Sequence, residues 1–536
     1  MKKSGYLTLT SVLGFALLAA GAGKELLSGE NYQSEGKKIA VQGLSNTPAC
    51  ISCHGAKGEG MPQAGYPRLA GLPMNYMVAQ LKAYKEGRRK SEIMAPIAQT
   101  LTESQMKAVA QYFASLKPVN TSSGKVEHEN KELLEVGERL ALYGNWDRGV
   151  PACYKCHGMQ GEGVNANFPP IAGQPASYIQ SQLEAFRKGD RYGGALNLMQ
   201  VIAKRMTEEE IKAVSLWLAS QKVPAPPKES TYQKDPYLEV QYDRPAKLSA
   251  ADIGGKQQFH NPPHPWEIPD NEFGKMVKLG YLIFTDTPKY SEGASGNALS
   301  CTNCHIDAGR MSFSAPMWGA YPNYPAYRSK NNMVNTNQRR IYECFRFSMN
   351  GKGPAFDSKV MVALESYFYW LSKGLKIGEG STPGRGYPKI EKPKNYDPVA
   401  EYSKGKQIYQ SACAVCHGHN GEGKFANGES IFPPLWGSKS YNWGAGMHGV
   451  LTAAQFVWGN MPYALSYSLT PEEAIAVSTY INGHERPQDP RWEGSVEKTR
   501  KAYHDSPFDL YGMNIQGKVL GDTGAPKYPY KPAYNR

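Results

Sequence analysis

The chain has 536 residues, too many for a single hydrophobic core and enough for three or four domains. A mean hydropathy of −0.53 excludes a polytopic membrane protein, and 11% aromatic residues exclude general disorder. The formal net charge of +13 favours anionic partners, but no long basic run or nucleic-acid motif accompanies it, so nucleic acid is not an expected partner.

The chain opens with Lys2 and Lys3, an apolar stretch from about Leu7 to Ala20, and small residues through Gly23. This pattern predicts a secretory signal over 1–24. Left uncleaved it would be an N-terminal anchor, although the run is short for a bilayer, which takes about 20 residues.

Four Cys-x-x-Cys-His motifs follow: Cys50, Cys53 and His54; Cys153, Cys156 and His157; Cys301, Cys304 and His305; Cys413, Cys416 and His417. This spacing is the attachment signature of c-type haem, with two thiols for the porphyrin and the histidine as proximal iron ligand. Disulfides, a thioredoxin-like pair or zinc would not explain the same order at four separated places. Four covalently bound c-type haems are therefore expected. Such haems are attached outside the cytoplasm, so the expected compartment is the periplasm.

The first, second and fourth motifs belong to one repeat. Each continues as His-Gly-x-x-Gly-Glu-Gly, then a Pro-containing stretch, then a Met. Each repeat closes on an amphipathic segment. Thr102 with Gln105, Thr207 with Glu210, and Thr470 with Glu473 have capping-box spacing, and apolar residues follow at helical intervals. The third unit lacks the Gly-Glu-Gly but ends in a helical pattern through Met361, Leu364, Phe368 and Leu371. The expected fold is mainly α, with four class I cytochrome c-like haem domains in tandem and long loops. Three are electron-transfer domains, at 25–120, 125–222 and 395–490; a linker covers 223–250 and a catalytic domain 251–378. A Gly/Pro/Lys-rich connection joins the last two, and a tail over 491–536 is expected to run along the surface of the preceding domain.

The sixth ligands follow from spacing. Met94 lies 40 residues beyond His54, Met199 lies 42 beyond His157, and Met461 lies 44 beyond His417. Met206 rivals Met199, and Met447 rivals Met461. In the third unit the matching place, 39 residues beyond His305, holds Cys344, the one cysteine outside the motifs. A thiolate ligand there would lower the haem potential. If Cys344 is an inert buried thiol instead, Met333 and Met349 are the alternatives. Arg310, Arg328, Arg339, Arg340, Arg346 and Lys352 cluster in sequence around this unit, and cations favour a thiolate.

The stretch from Asn335 to Lys352, with Cys301 to Arg310, resembles the thiosulfate dehydrogenase family. The resemblance covers roughly 255–490. It implies a periplasmic enzyme that joins two thiosulfates into tetrathionate, in some members also running in reverse. It implies that His305 and Cys344 ligate the catalytic haem, and that Arg328, Arg340, Ser348 and Lys352 line the substrate pocket. Some relatives carry Lys just before the Met of the electron-transfer haem; here that place is Asn460. The N-terminal half resembles dihaem class I cytochromes c, which serve as electron acceptors in this family. The resemblance thus implies a fusion of acceptor and enzyme. Electrons would leave to a soluble cytochrome c, a high-potential iron–sulfur protein or a terminal oxidase. The alternatives are a multihaem electron carrier with no substrate, or a Cys-ligated haem enzyme acting on carrier-bound sulfur.

Overall fold

The protein is described by a computed structural model covering residues 29–120, 131–240, 242, 244, 259–328, 331–378 and 382–530. The expected signal at 1–24 lies outside these residues. No helix among them is long and apolar enough to cross a membrane.

The same helix pair recurs four times. An opening helix crosses a closing helix in each unit: Gly29–Gln42 with Glu103–Ser115, Lys131–Leu142 with Glu208–Ser220, Glu272–Thr285 with Lys359–Leu371, and Pro398–Ala412 with Pro471–Asn482. The closing helices start where their sequences direct. Thr102, Thr207 and Thr470 each accept from the backbone N–H three residues on, and Gln105, Glu210 and Glu473 return the bond, a full capping box. In the third unit Ser358 caps alone, accepting from Met361 N. Each such cap stabilises its helix by about 1 kcal/mol. The apolar faces are buried as their periodicity requires, including Met361 and Leu371, both fully buried in the third unit.

The crossing itself depends on glycine. A Cβ on Gly36, Gly137, Gly280 or Gly405 would stand 2.0–2.3 Å from the carbonyl oxygen of Ala108, Ala213, Ala363 or Ala476. No side chain fits there, so the two backbones touch. The third unit shares this device, which makes it the same fold despite its divergent loop.

Strands are few: short antiparallel pairs at Ala326–Arg328 with Met333–Asn335, Lys424–Ala426 with Glu429–Phe432, and Asn514–Ile515 with Lys518–Val519.

The connecting segments are not spacers. Within 223–240, Tyr232 is buried and donates its hydroxyl to Gly71 O, Gln233 accepts from Met74 N at 2.8 Å, and Asp235 takes Lys424 at 2.6 Å. That segment straps the first and fourth units together. The tail also departs from the expected surface path. Leu510, Tyr511, Ile515 and Leu520 enter the core of the fourth unit, and Tyr530 returns to the third. A buried ionic chain fastens it: His448 meets Asp509 at 2.6 Å, Asp509 meets His504 at 2.8 Å, His504 meets Asp489 at 3.0 Å, and Asp489 meets Arg491 at 2.6 Å.

Candidate active site

Each Cys-x-x-Cys-His motif occupies a tight helical turn, and each histidine is oriented in the same way. Nδ1 faces a backbone carbonyl: Pro67 O at 3.0 Å for His54, Pro169 O at 2.7 Å for His157, Ala315 O at 2.6 Å for His305 and Pro433 O at 2.8 Å for His417. A carbonyl only accepts, so Nδ1 carries the proton and Nε2 stays free to bind iron. Burial pushes all four imidazoles below the usual histidine value, His305 to about 4. They are neutral, the form a metal ligand needs.

Cavities stand beside the second and third of these turns. One of about 160 Å³ is lined by Cys156, His157 and Met199. One of about 240 Å³ is lined by Cys301, Cys304, His305 and Cys344. In the third unit two attachment sulfurs, a neutral imidazole with a free nitrogen and a further sulfur share one cavity, the donor set of a covalent haem; the second unit's cavity carries one attachment sulfur, the imidazole and Met199.

Other sulfur candidates are sorted by position. Met206 is buried in the core of the second unit, away from the cavity that Met199 lines. Met447 lines the third unit's cavity, whereas Met461, at the end of the helix Val450–Asn460, packs against the fourth unit's core. Met94 begins the helix Met94–Thr100, its N–H bound by Ser91 Oγ at 3.0 Å. Met349 lines the third cavity together with Cys344; Met333, on a strand, does not. Asn460 is buried and donates to Phe456 O at 3.0 Å.

The helix Asn337–Phe347 supplies the distinctive wall. Thr336 caps it, accepting from Arg339 N at 3.1 Å. Arg340, Cys344 and Ser348 are four residues apart, so they share a face, and all three line the cavity. Cys344 beside it holds the Arg340 guanidinium above its usual value, and Tyr324 adds a hydrogen bond. Arg328 stands behind this face. It pairs with Glu343 at 3.1 Å, and burial pulls its guanidinium down, with Arg340 adding repulsion. Lys352 follows the helix with its side chain exposed, outside the cavity lining.

The sequence cluster of cations therefore divides. Arg310 pairs with Asp307 at 2.6 Å, Arg339 with Glu343 at 3.2 Å, and Arg346 donates to the Tyr528 and Pro529 carbonyls. Only Arg340 among the six lines the cavity. Sequence reasoning missed the lining residues Tyr324, Arg385 from the connecting segment and Tyr441 from the fourth unit, and it weighed Met447 for the fourth unit's haem whereas Met447 lines this cavity. Arg385 and its neighbour Tyr387, which donates to Cys304 O at 3.3 Å, lie in a stretch with no periodicity to expose them.

Contacts between units link the attachment sites. Cys156 and Cys416 border one apolar cluster, in which Phe168 and Phe432 lie 4.6 Å apart. Met447 packs against both the third and the fourth core.

Comparison with known proteins agrees with this arrangement. The family described as SoxA/TsdA, cytochrome c domain, matches residues 288–377, and the cytochrome c family matches 33–117, 145–222 and 402–485. These matches show that the chain carries covalent c-type haem. Over 282 residues the chain is 55% identical to the thiosulfate dehydrogenase of Thiomonas intermedia (strain K12), covering 53% of this chain and 88% of that one. Over 174 residues it is 46% identical to the thiosulfate dehydrogenase electron acceptor of the same organism, covering 32% of this chain and 78% of the relative. The solved structure of thiosulfate dehydrogenase TsdBA from Marichromatium purpuratum, in its as-isolated form, superposes with a TM-score of 0.81 at 39% identity, over 91% of this chain and 99% of that one. With the acceptor-like pair of units preceding the SoxA/TsdA unit and its companion, the chain belongs to the thiosulfate dehydrogenase family, in the form that joins enzyme and electron-acceptor cytochrome in one polypeptide.

Proposed function

We propose that this chain is a periplasmic tetrahaem enzyme that couples two thiosulfates into tetrathionate and passes the two electrons to an external acceptor. The observation that carries this reading is the shared face of Arg340, Cys344 and Ser348 on the cavity that holds His305. The proposed iron ligands are His54 with Met94, His157 with Met199, His305 with Cys344, and His417 with Met461. When bound, the haems supply one-electron acceptors whose potentials follow their axial ligands.

The residues' part in the chemistry follows from charge. Thiosulfate is a dianion, and bringing two together costs Coulomb energy that grows where water is excluded. Arg340, with Arg328 behind it, offsets that repulsion, and its planar fork suits sulfonate oxygens. Ser348 offers a hydroxyl donor one turn beyond Cys344. Lys352, at the exposed end of the same stretch, attracts the substrate. Cys344 would hold the iron at rest and, once free of it, is the nucleophile. Its sulfur bonds the sulfane sulfur of one thiosulfate, and this oxidation releases two electrons. The second thiosulfate attacks that sulfane sulfur, the Cys344 thiolate leaves, and tetrathionate forms. The same exchange run backwards reduces tetrathionate.

The contacts support an electron order of third, fourth, second, first unit, because the fourth unit meets the second at Phe432 and Phe168. The acceptor beyond the chain would be a soluble cytochrome c, a high-potential iron–sulfur protein or a terminal oxidase.

The test uses purified, fully haem-loaded protein with thiosulfate and ferricyanide, quantifying tetrathionate for wild type and Cys344→Gly. Tetrathionate from wild type with severe loss in the variant supports the reading. Equal activity discards the role of Cys344. No turnover in either favours an electron carrier or an enzyme of carrier-bound sulfur.

A further inference from the structure

The buried ionic chain that fastens the tail contains a donor set that the proposed chemistry does not use. His448 belongs to the fourth unit, and His504 and Asp509 belong to the tail, 56 and 61 residues further on. All three are buried. Their facing atoms form a small triangle. His448 Nε2 stands 2.6 Å from Asp509 Oδ2, His504 Nδ1 stands 2.8 Å from the same oxygen, and the two nitrogens are 3.3 Å apart.

Acceptors surround both imidazoles. The other nitrogen of His448, Nδ1, faces Ala445 O, and the other nitrogen of His504, Nε2, faces Asp489 Oδ2 at 3.0 Å. Carbonyls and carboxylates only accept, and a neutral imidazole carries one N–H. When the outer nitrogens take that hydrogen, the two inner nitrogens turn lone pairs toward a carboxylate oxygen. Three lone pairs converging in a buried space need positive charge between them. Two extra protons supply it only by aiming two imidazolium N–H bonds at one oxygen from neighbouring nitrogens. One divalent ion satisfies all three atoms at once. Tetrahedral zinc bonds of about 2.0–2.1 Å hold ligand atoms about 3.3 Å apart. The two nitrogens already stand at that separation, with the carboxylate oxygen slightly inside it.

The surroundings have the form of a metal site. Each imidazole gives its outer N–H to a carbonyl or a carboxylate, the partner that orients a ligating histidine. The second oxygen of Asp509 accepts from Tyr511 N at 3.1 Å, and Asp489 is held by Arg491 at 2.6 Å. The fully buried Tyr511 ring stacks on His504 at 4.3 Å and keeps water away.

We infer that His448, His504 and Asp509 bind one divalent transition-metal ion, zinc by its donor set, and that this ion staples the tail to the fourth haem unit. Three protein ligands leave a fourth position for water. Binding conserves charge: one divalent ion enters, and two protons leave, from His448 Nε2 and His504 Nδ1. Without the metal those protons remain, and the cluster is the ionic chain already described, whose hold on the tail then depends on proton supply. The inference rests on no haem and on no step of the proposed reaction.

The test uses the full, haem-loaded chain, stripped with dipicolinate, loaded with zinc chloride and dialysed. Elemental analysis should find about one zinc per chain in wild type and in His419→Gln, which removes an exposed imidazole. His448→Gln and His504→Gln should retain at least about tenfold less at unchanged haem content. Zinc K-edge absorption of the wild type, which needs no variant, should show imidazole nitrogens and no sulfur around the metal. At free zinc about 100 times the dissociation constant, amide exchange in the tail helix Val496–Tyr503 should slow about a hundredfold relative to the stripped protein. No zinc retained by wild type, equal zinc in the histidine variants, sulfur around the metal, or tail exchange indifferent to zinc would each overturn the inference.

Discussion

Gly405→Ala tests whether backbone contact at the helix crossing limits the fold. The added Cβ would lie 2.0 Å from Ala476 O, 2.5 Å from Ala476 C and 2.9 Å from Tyr480 Cβ. The first two are backbone atoms, so no rotamer relieves the clash. The helices must separate by roughly 1 Å, along a seam where Tyr409, Ala474, Val477 and Ile481 are buried. Overpacking of this kind costs about 1–3 kcal/mol, occasionally more. Alanine returns about 1 kcal/mol through helix propensity. With no partner side chain to move aside, the upper end applies and the net loss is about 2 kcal/mol. For a unit of this size each kcal/mol moves the midpoint by about 4–8 °C, so the fourth unit should melt about 10 °C lower. Calorimetry of the haem-loaded protein reads this, with exposed Lys406→Ala as the neutral control. A Gly405→Ala protein that melts at or above wild type would refute the reasoning.

Arg340→Lys keeps the charge but loses the planar fork, so kcat/KM for thiosulfate should fall by about a hundredfold with haem content unchanged; steady-state kinetics check this. Tyr530→Phe removes the hydroxyl that Arg339 reaches at 2.6 Å, which loosens Glu343 and with it Arg328. KM should rise several-fold with a small change in kcat. Asp509→Asn leaves His448 and His504 without their shared carboxylate and should cost about 3–5 kcal/mol, read as early proteolysis of the tail. The same chain sets a pH window. Asp489 and Asp509 hold the His504 imidazole above its usual value, so its contribution is complete below about pH 6.5 and is lost as pH rises through the raised value. Arg491 holds Asp489 below the usual carboxylate range and His448 does the same for Asp509, so their contributions are lost only in strong acid. Amide exchange in the tail should therefore quicken as pH is raised from about 6 to about 9, once intrinsic chemistry is subtracted; a flat profile would refute it.

What the sequence disclosed was local. Attachment motifs, capping threonines and closing helices depend on residues within a few positions of each other, and periodicity exposes them. The third unit's closing helix was legible although its cap, Ser358, lacks the reciprocal glutamate. The cavity wall was legible in part. Arg340, Cys344 and Ser348 share a face because helical spacing places them there, but proximity in sequence also suggested Arg339 and Arg346, which the same spacing turns toward the tail. Arg385 and Tyr441 reach the cavity by tertiary folding alone. The crossing glycines carry no local signal, because their reason lies on a helix 71 to 83 residues away. The tail showed aromatic residues without period, and its destination depended on carboxylates that meet histidines across the fold.

The contact of Phe168 with Phe432 has a consequence for how such a protein is made to work. Two separate redox proteins must meet, exchange and part, and a surface built for parting is small, wet and charged. Here parting is never required. The interface is free to be greasy and permanent, and the strap that ties Asp235 to Lys424 keeps it closed. Electron passage across it becomes a first-order event, governed by an effective concentration that dilution does not change. Such a protein should work as well in a dilute, salty medium as in a crowded one, and should spend no time searching for its first acceptor.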